Sequence, residues 1–231
     1  MRGFNRFGWQ NTRDSVVGRN KRSALRRSVP MPSPAIDVSA RLAARVNAGV
    51  SLPSCRNYRR AFAPGGCWLF TVNLLDRRRR LLTEHIDALR EATRRTQARH
   101  PFTIDAMVVL PDHVHAVWTL PPGDAEFSLR WRLIKIEFAK AIPKTERQSP
   151  VRVARGERTI WQRRFWEHLI RDDEDFRRHV AYCTINPVKH GLVTCVRDWP
   201  LSSFHRDVRA GLCPEDWAGD ASAEARFGER V

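Results

Sequence analysis

Apolar positions recur with two different periods along residues 67–186, and the two periods predict an alternation of strands and helices. Strands are predicted where β-branched and aromatic residues cluster, at 67–75, 103–110, 113–120 and 162–170. Amphipathic helices are predicted where apolar residues return every three or four positions, at 83–97, 128–142 and 173–186. Thr83 and Ser128 are expected to cap the first two helices.

The predicted order, βαββαβ followed by a further helix, is that of the ferredoxin-like or split βαβ fold. The fold class is therefore α+β, an antiparallel sheet with helices on one side and an added helix after the last strand. We expect that added helix to lie against the sheet near strand 113–120. Tyr182 and Asn186 are four residues apart and share one helical face, so both are expected near this strand.

The rest of the chain differs in composition. Residues 1–55 are rich in Arg, Ser, Pro and Asn, and we interpret them as a basic, disordered arm. Residues 56–217 are assigned to the folded domain and residues 218–231 to a flexible tail.

Composition points to a polyanionic partner. The 231 residues include 41 Lys and Arg against 25 Asp and Glu, a net charge of +16, together with eight tryptophans. Arginines pair with phosphates and aromatic rings stack on unpaired bases, so nucleic acid is the expected partner. No apolar run is long enough to span a membrane, and no apolar leader segment is apparent. Five scattered cysteines without a CxxC pair favour free thiols in a reducing cytoplasm.

Candidate chemistry begins with "HVH" in the strand 113–120. His113 and His115 point to the same face because side chains alternate along a strand. Two neutral imidazoles at this spacing suit a divalent metal with open positions. A pair of hydrogen-bonded or surface histidines fits the same pattern.

Longer motifs carry a resemblance to a known family. The segments "NYRRAFAPGGCWLFTVNLL", "IDAMVVLPDHVHAVWTLP", "IWQRRFWEHLIRDDEDFRRHVAYCTINPVKHGLV" and "DWPLSSFHRDV" resemble the REP-associated tyrosine transposases. These are relatives of the IS200/IS605 single-tyrosine transposases within the HUH nucleases. The likeness runs from about Asn57 to Trp217.

The resemblance implies a role for each matching residue. His113, His115 and Asn186 would bind a divalent metal, Mg²⁺ or Mn²⁺, and Tyr182 would be the nucleophile. Thr184 departs from relatives that carry histidine there. Asn186 could instead cap its helix, since it precedes Pro187, and Tyr182 could be a core tyrosine. The residues expected to contact DNA are Arg59, Arg60, Arg163, Arg164 and Lys189.

Three functions are compatible with these residues. The first is a metal-dependent single-strand DNA endonuclease and strand transferase that forms a 5′-phosphotyrosine on hairpin-forming palindromic repeats. The second is a host-retained protein that binds such hairpins without cleaving them, and the third is a metal phosphohydrolase that uses water. Acting on DNA, the protein is expected in the cytoplasm with the nucleoid, as a monomer or homodimer without an obligate protein partner.

Four other histidines are expected to be structural: His85, His100, His179 and His205.

Overall fold

The computed structural model describes residues 62–146, 154 and 158–218. The arm predicted for 1–55 and residues 219–231 of the predicted tail lie outside the described residues, as do Arg59 and Arg60. These residues include four strands: β1 (Cys67–Asn73), β2 (Thr103–Val109), β3 (His113–Thr119) and β4 (Trp166–Leu169). The α-helices are α1 (Leu81–Glu84), α2 (Ile86–Arg99), α3 (Phe127–Ala141), α4 (Asp173–Lys189) and α5 (Phe204–Arg209).

The four strands form one antiparallel sheet in the order β2-β3-β1-β4. β3 lies between the two strands that α2 connects, which is the split βαβ arrangement. The predicted fold class is confirmed. The histidine strand β3 is central and is hydrogen-bonded on both edges.

One face of the sheet packs against α2 and α3 through a large aromatic core. Trp68, Trp118 and Trp131 are fully buried there, and the rings of Trp118 and Trp131 stack at 4.2 Å between centroids. Trp161 and Trp217 are also buried. Five of the eight tryptophans are therefore core residues, and the expectation that tryptophans serve nucleic-acid binding does not hold for these five.

The opposite face packs against α4. Leu69 on β1, Val108 on β2 and Val117 on β3 form a second apolar cluster with Phe176 and Val180 of this helix. The side chains of β3 alternate strictly between the two clusters, and His113 and His115 lie on the α4 face with Val117. The added helix thus lies against the histidine strand, as predicted.

Several predicted boundaries are wrong. Thr83 does not begin a helix: α1 starts at Leu81, and the Thr83 hydroxyl donates a hydrogen bond to the carbonyl of Arg80. Ser128 is the second residue of α3, which begins at Phe127. The last strand is shorter than 162–170, because Arg163 and Arg164 leave the sheet between a bridge of Trp161 to Leu74 and the pair Trp166–Thr71.

Helix α4 is longer than predicted. It continues past 186 and contains Pro187, ending at Lys189. Pro187 has no N–H to donate to the carbonyl of Cys183, so one backbone hydrogen bond of the helix is missing at this point. The chain then turns with His190 N–H bonded to the carbonyl of Asn186. Asn186 therefore lies inside the helix, and its interpretation as a cap is wrong.

The C-terminal segment covers the outer edge of β2. Ser202 forms a bridge with Val108, and Ser203 exchanges hydrogen bonds with Met107 at 2.8 and 3.0 Å. Trp199 Nε1 donates to the carbonyl of Val109 at 3.0 Å. These contacts satisfy an edge that would otherwise be open for pairing with other strands. Among the described residues, no helix has the length and apolar content needed to cross a membrane.

Candidate active site

Two imidazoles lie side by side at the centre of the α4 face. The side chains of His113 and His115 are 1% and 0% exposed, and their ring centroids are 4.8 Å apart. The sequence produces this pair locally: the turn at Pro111 and Asp112 starts β3, and the alternation of the strand turns both rings the same way. The predicted shared face is confirmed.

Each imidazole is held at Nδ1. Asp112 accepts a hydrogen bond from His113 Nδ1 at 2.7 Å, and Thr71 Oγ1 is hydrogen-bonded to His115 Nδ1 at 2.9 Å. The carboxylate selects the tautomer of His113 that leaves the lone pair on Nε2. Metal-ligating histidines are oriented in this way by partners on the other nitrogen.

The pair fits a divalent metal by a direct structural criterion. Nε2 of His113 is buried and has no hydrogen-bond partner among the described residues. A buried polar atom left in this state costs free energy unless a ligand satisfies it. Imidazole nitrogens and a side-chain amide oxygen such as that of Asn186 are ligand types that divalent metals accept.

The carboxyl group of Asp112 is held in its ionised form. Burial would raise the pKa of this carboxyl group, but hydrogen bonds from His113 and Arg77 hold the pKa at about 2. The Arg77 Nε donates to Asp112 at 2.6 Å. Arg77, Asp112 and His113 therefore form a hydrogen-bonded chain that fixes the ring of His113. Sequence reasoning missed Asp112 and Thr71; the position of Asp112 next to "HVH" was the available signal.

Tyr182 lies against His115. The side chain of Tyr182 is fully buried, and its ring centroid is 5.1 Å from that of His115, in an edge-to-face arrangement. Asn186, one turn further along α4, is also fully buried. Tyr182 reaches the pair because α4 packs over β2 and β3.

Two exposed cationic or polar residues close the end of α4. The Lys189 Nζ lies 4.8 Å from the centroid of the Tyr182 ring. His190 lies directly after the helix, with its ring 5.0 Å from that of His113. Lys189 is one of the residues expected to contact DNA; its position beside Tyr182 puts its charge next to the phenol ring.

The remaining arginines expected to contact DNA lie at the β4 edge of the sheet. Arg163 and Arg164 are exposed and come just before Trp166 in the interrupted part of the last strand. This edge is separated from the histidine strand β3 by β1.

A second group of titratable residues lies on α4 before Tyr182. Asp175 accepts hydrogen bonds from His168 Nε2 at 2.8 Å, from Arg178 at 2.7 Å and from the Arg171 N–H at 3.1 Å. Burial opposes ionisation of Asp175, but these bonds lower its pKa to about 2. The Nδ1 of His179 lies 3.0 Å from the Asp175 carboxylate, and burial lowers the pKa of His179.

This group contains the ligand types of a metal site, with ligand atoms within 4.8 Å of one another. In the structure, these residues join β4, the turn that follows β4 and the first turns of α4 by hydrogen bonds. We call it the Asp175 hub (His168, Asp175, His179).

Comparison with known proteins places this fold and site in a family. No protein-family model matches the chain. A REP-associated tyrosine transposase of Escherichia coli (strain K12) is 51% identical over 174 residues, which are 75% of this chain and 97% of that protein. A relative from Haemophilus influenzae named for the same family is 48% identical over 165 residues, 71% of this chain and 94% of its own.

A solved structure agrees with the sequence comparison. The REP-associated tyrosine transposase bound to a REP hairpin has a TM-score of 0.66 and 50% identity to this chain, covering 77% of it and 99% of that structure. High identity over nearly the full length of these proteins is sufficient for assignment. The chain therefore belongs to the REP-associated tyrosine transposases and is an enzyme of that class.

Proposed function

We propose that this transposase cleaves and rejoins single-stranded DNA through a covalent bond to Tyr182, acting on palindromic repeats that form hairpins. The observation that carries the proposal is the contact of Tyr182 with His115, which lies beside His113 on one face of the sheet. The hairpin-bound relative supports the substrate class. A DNA-processing enzyme of this kind would act in the cytoplasm at the nucleoid.

His113, His115 and Asn186 are the residues that would hold a divalent metal. When bound, the ion would supply positive charge to a phosphate oxygen and so favour attack at phosphorus. The Nδ1 contacts of Asp112 and Thr71 keep the two rings in place before DNA arrives.

The chemistry of the chain's own residues follows from the position of Tyr182. Its hydroxyl oxygen would form a bond to the scissile phosphorus, and the bond from phosphorus to the 3′-oxygen would break. The upstream piece would leave with a 3′-hydroxyl, and the downstream piece would stay attached through its 5′-phosphate. A 3′-hydroxyl would then attack the phosphotyrosine and release Tyr182, so no ATP is needed.

Lys189 would assist this exchange electrostatically. Its ammonium group over the ring of Tyr182 favours negative charge on the phenol oxygen. Because Tyr182 is fully buried in the DNA-free chain, side chains around it must move for a phosphate to reach the oxygen. All of these groups belong to one chain, so a monomer would be sufficient for one cleavage.

The test is the formation of a denaturation-resistant adduct with a single-stranded oligonucleotide. DNA labelled downstream of the cut should remain on the protein, and DNA labelled upstream should not. Tyr182→Phe removes one oxygen with little change in packing, so it should retain hairpin binding and lose the adduct. The matched control, Tyr58→Phe, should form it.

Other results would contradict the proposal. An adduct in Tyr182→Phe would move the nucleophile to another residue. Cleavage without any adduct would favour the water-using phosphohydrolase, and tight hairpin binding without cleavage would favour the non-cleaving binding protein.

A further inference from the structure

On the face of the sheet that α4 packs against, strands β1 and β4 lie next to the active site, on the opposite side of β3 from β2. Helix α4 packs over β2 and β3. On the same face, β1 and β4 present Thr71, Trp166 and His168, because Trp166 is paired with Thr71 and His168 with Leu69. Trp166 and His168 are both partly exposed. We call Trp166 and His168, together with the adjoining part of β1, the β4 shelf.

The β4 shelf is in register with the histidine pair. Thr71 is opposite Trp166 on one side and opposite His115 on the other. Trp166 is thus two strands from His115, about 10 Å at the usual strand spacing. A strand of DNA whose phosphate reaches Tyr182 would have a neighbouring base within reach of Trp166.

The ring of Trp166 is held in a fixed orientation. It lies parallel to the ring of His168, with 5° between planes and 6.0 Å between centroids. His168 is in turn stacked on His179 at 4.6 Å and hydrogen-bonded to Asp175. Three planar rings therefore follow one another, fixed by the Asp175 hub. A preorganised ring loses little freedom when a ligand stacks on it.

The charge around the β4 shelf suits a nucleic acid. Arg163 and Arg164 are exposed at the point where the chain enters β4, two and three residues before Trp166. Cationic side chains next to a partly exposed aromatic ring are the usual components of single-strand binding grooves. Trp166 differs in this from the five tryptophans buried in the core.

We propose that Trp166 stacks on an unpaired base next to the scissile phosphate and thereby positions the DNA strand at Tyr182. The ligand class is a nucleobase of single-stranded DNA, with Arg163 and Arg164 on the flanking phosphates. The proposal rests on the proposed function, since it names a substrate contact of the same site.

The test combines protein variants with abasic DNA. Binding of an uncut hairpin with a single-stranded flank is measured by anisotropy, with an abasic site placed at each flanking position in turn. In the unmodified protein, one position should show a penalty of about tenfold. Trp166→Leu should bind intact DNA about tenfold more weakly, and the abasic site should add no further loss. Trp166→Phe keeps a ring and should retain most of the affinity.

Trp199→Leu is the matched control, because Trp199 is a partly buried tryptophan at the β2 side of the molecule. It should keep the full abasic penalty. If the penalties of Trp166→Leu and of every abasic position multiply, or if no single position is sensitive in the unmodified protein, the stacking contact does not exist. The abasic scan needs no variant, so a scan without any sensitive position overturns the stacking contact even if Trp166→Leu fails to fold, and Trp166→Phe then remains to test the residue.

This result is separable from the proposed function. Binding is read on uncut DNA, whereas the phosphotyrosine is read as an adduct. An adduct together with independent penalties would overturn only the stacking contact. Coupled penalties without an adduct would overturn only the covalent mechanism.

Discussion

At the scale of single residues, the main feature of the site is that Nδ1 of each imidazole is hydrogen-bonded within the protein. Asp112 and Thr71 occupy the Nδ1 atoms of His113 and His115. The remaining nitrogen of His113 is buried without a partner among the described residues. This arrangement is expected of rings that are held ready for a metal, and it leads to the first prediction.

His113→Ala and His115→Ala should each abolish cleavage while hairpin binding stays largely intact, because basic side chains supply most phosphate contacts. EDTA should have the same effect, and Mn²⁺ should restore activity to the EDTA-treated protein. Asn186→Ala should impair cleavage less. Adduct yield and binding anisotropy are the two measurements, and His85→Ala, outside the site, is the control. Full cleavage in EDTA would refute the metal assignment.

Sequence patterns could predict that His113 and His115 share one face of a strand and that Tyr182 and Asn186 share one face of a helix, because spacing determines the face. They could not predict Thr71 as the partner of His115, because the two residues are 44 positions apart and meet only through strand pairing. Thr71 lies opposite His115 because of the register between β1 and β3. A hydrogen bond between buried side chains on two strands can therefore be predicted only when the pairing of those strands is known.

At the scale of elements, two groups of charged side chains connect neighbouring elements: the Asp175 hub, and the ion pair of Arg130 with Asp124. The Asp175 hub connects β4 to α4, the helix of Tyr182. Arg130, 1% exposed on α3, donates to Asp124 and to the carbonyls of His100 and Pro101. It thereby ties the start of α3 to the turn before β2.

Asp175→Asn should lower the free energy of unfolding by about 2 kcal/mol at pH 7, from the shift of its pKa to about 2. The folded-state pKa lies below the unfolded value of about 3.9. The stabilisation is therefore present above about pH 4 and is lost as the pH falls towards 2. Denaturant unfolding at pH 7 and at pH 3 measures this difference.

Asp173→Asn is the control, because Asp173 is exposed on the same turn of α4. It should change stability by only a few tenths of a kcal/mol, roughly the value of a surface charge near a helix start. Equal stability of Asp175→Asn and the unmodified protein at pH 7 would show that the Asp175 hub does not hold the helix.

Arg130→Met should destabilise the fold by about 3 kcal/mol, because it removes the charged partner of Asp124 and the donor to the carbonyls of His100, Pro101 and Glu126. Arg132→Met, at an exposed position of the same helix, should have an effect near zero. Chemical denaturation of both variants measures the contrast. A small effect of Arg130→Met would mean that Asp124, which is 30% exposed, is adequately solvated alone.

Element types were predictable and element ends were not. Periodicity identified each strand and each long helix, since it reflects which face is buried. Helix α4 continues through Pro187 to Lys189, although Pro187 removes one backbone hydrogen bond and the rule for residues before proline predicts a stop at 186. The interruption at Arg163 and Arg164 depends on the pairing of Trp161 with Leu74 before it and of Trp166 with Thr71 after it, which periodicity does not show.

At the scale of the whole molecule, the residues of the site and many of the basic residues lie in different parts of the chain. The sheet and α4 hold the site in a single chain, while much of the positive charge lies in sequence outside the described residues. Residues 1–55 contain ten Arg and Lys residues against two Asp. Their contribution should be electrostatic and independent of the DNA sequence.

A protein beginning at Asn57 should still form the adduct, because His113, His115, Tyr182 and Asn186 all follow that point. Its hairpin binding should depend less on salt. The slope of log K against log salt should become shallower by about 0.7 for each single-strand phosphate that the arm neutralises, and by about 0.9 for each duplex phosphate. Titrations at several salt concentrations, with unmodified protein alongside, give both slopes.

The control is a full-length protein in which the eleven basic residues before Asn57 are replaced by glutamine. It keeps the length of the arm and removes its charge, so its slope should match that of the shortened protein. An unchanged slope in both would show that residues 1–55 do not bind phosphates. Loss of the adduct in the shortened but folded protein would show that these residues take part in the reaction, because charge removal alone weakens binding and is overcome at higher protein concentration.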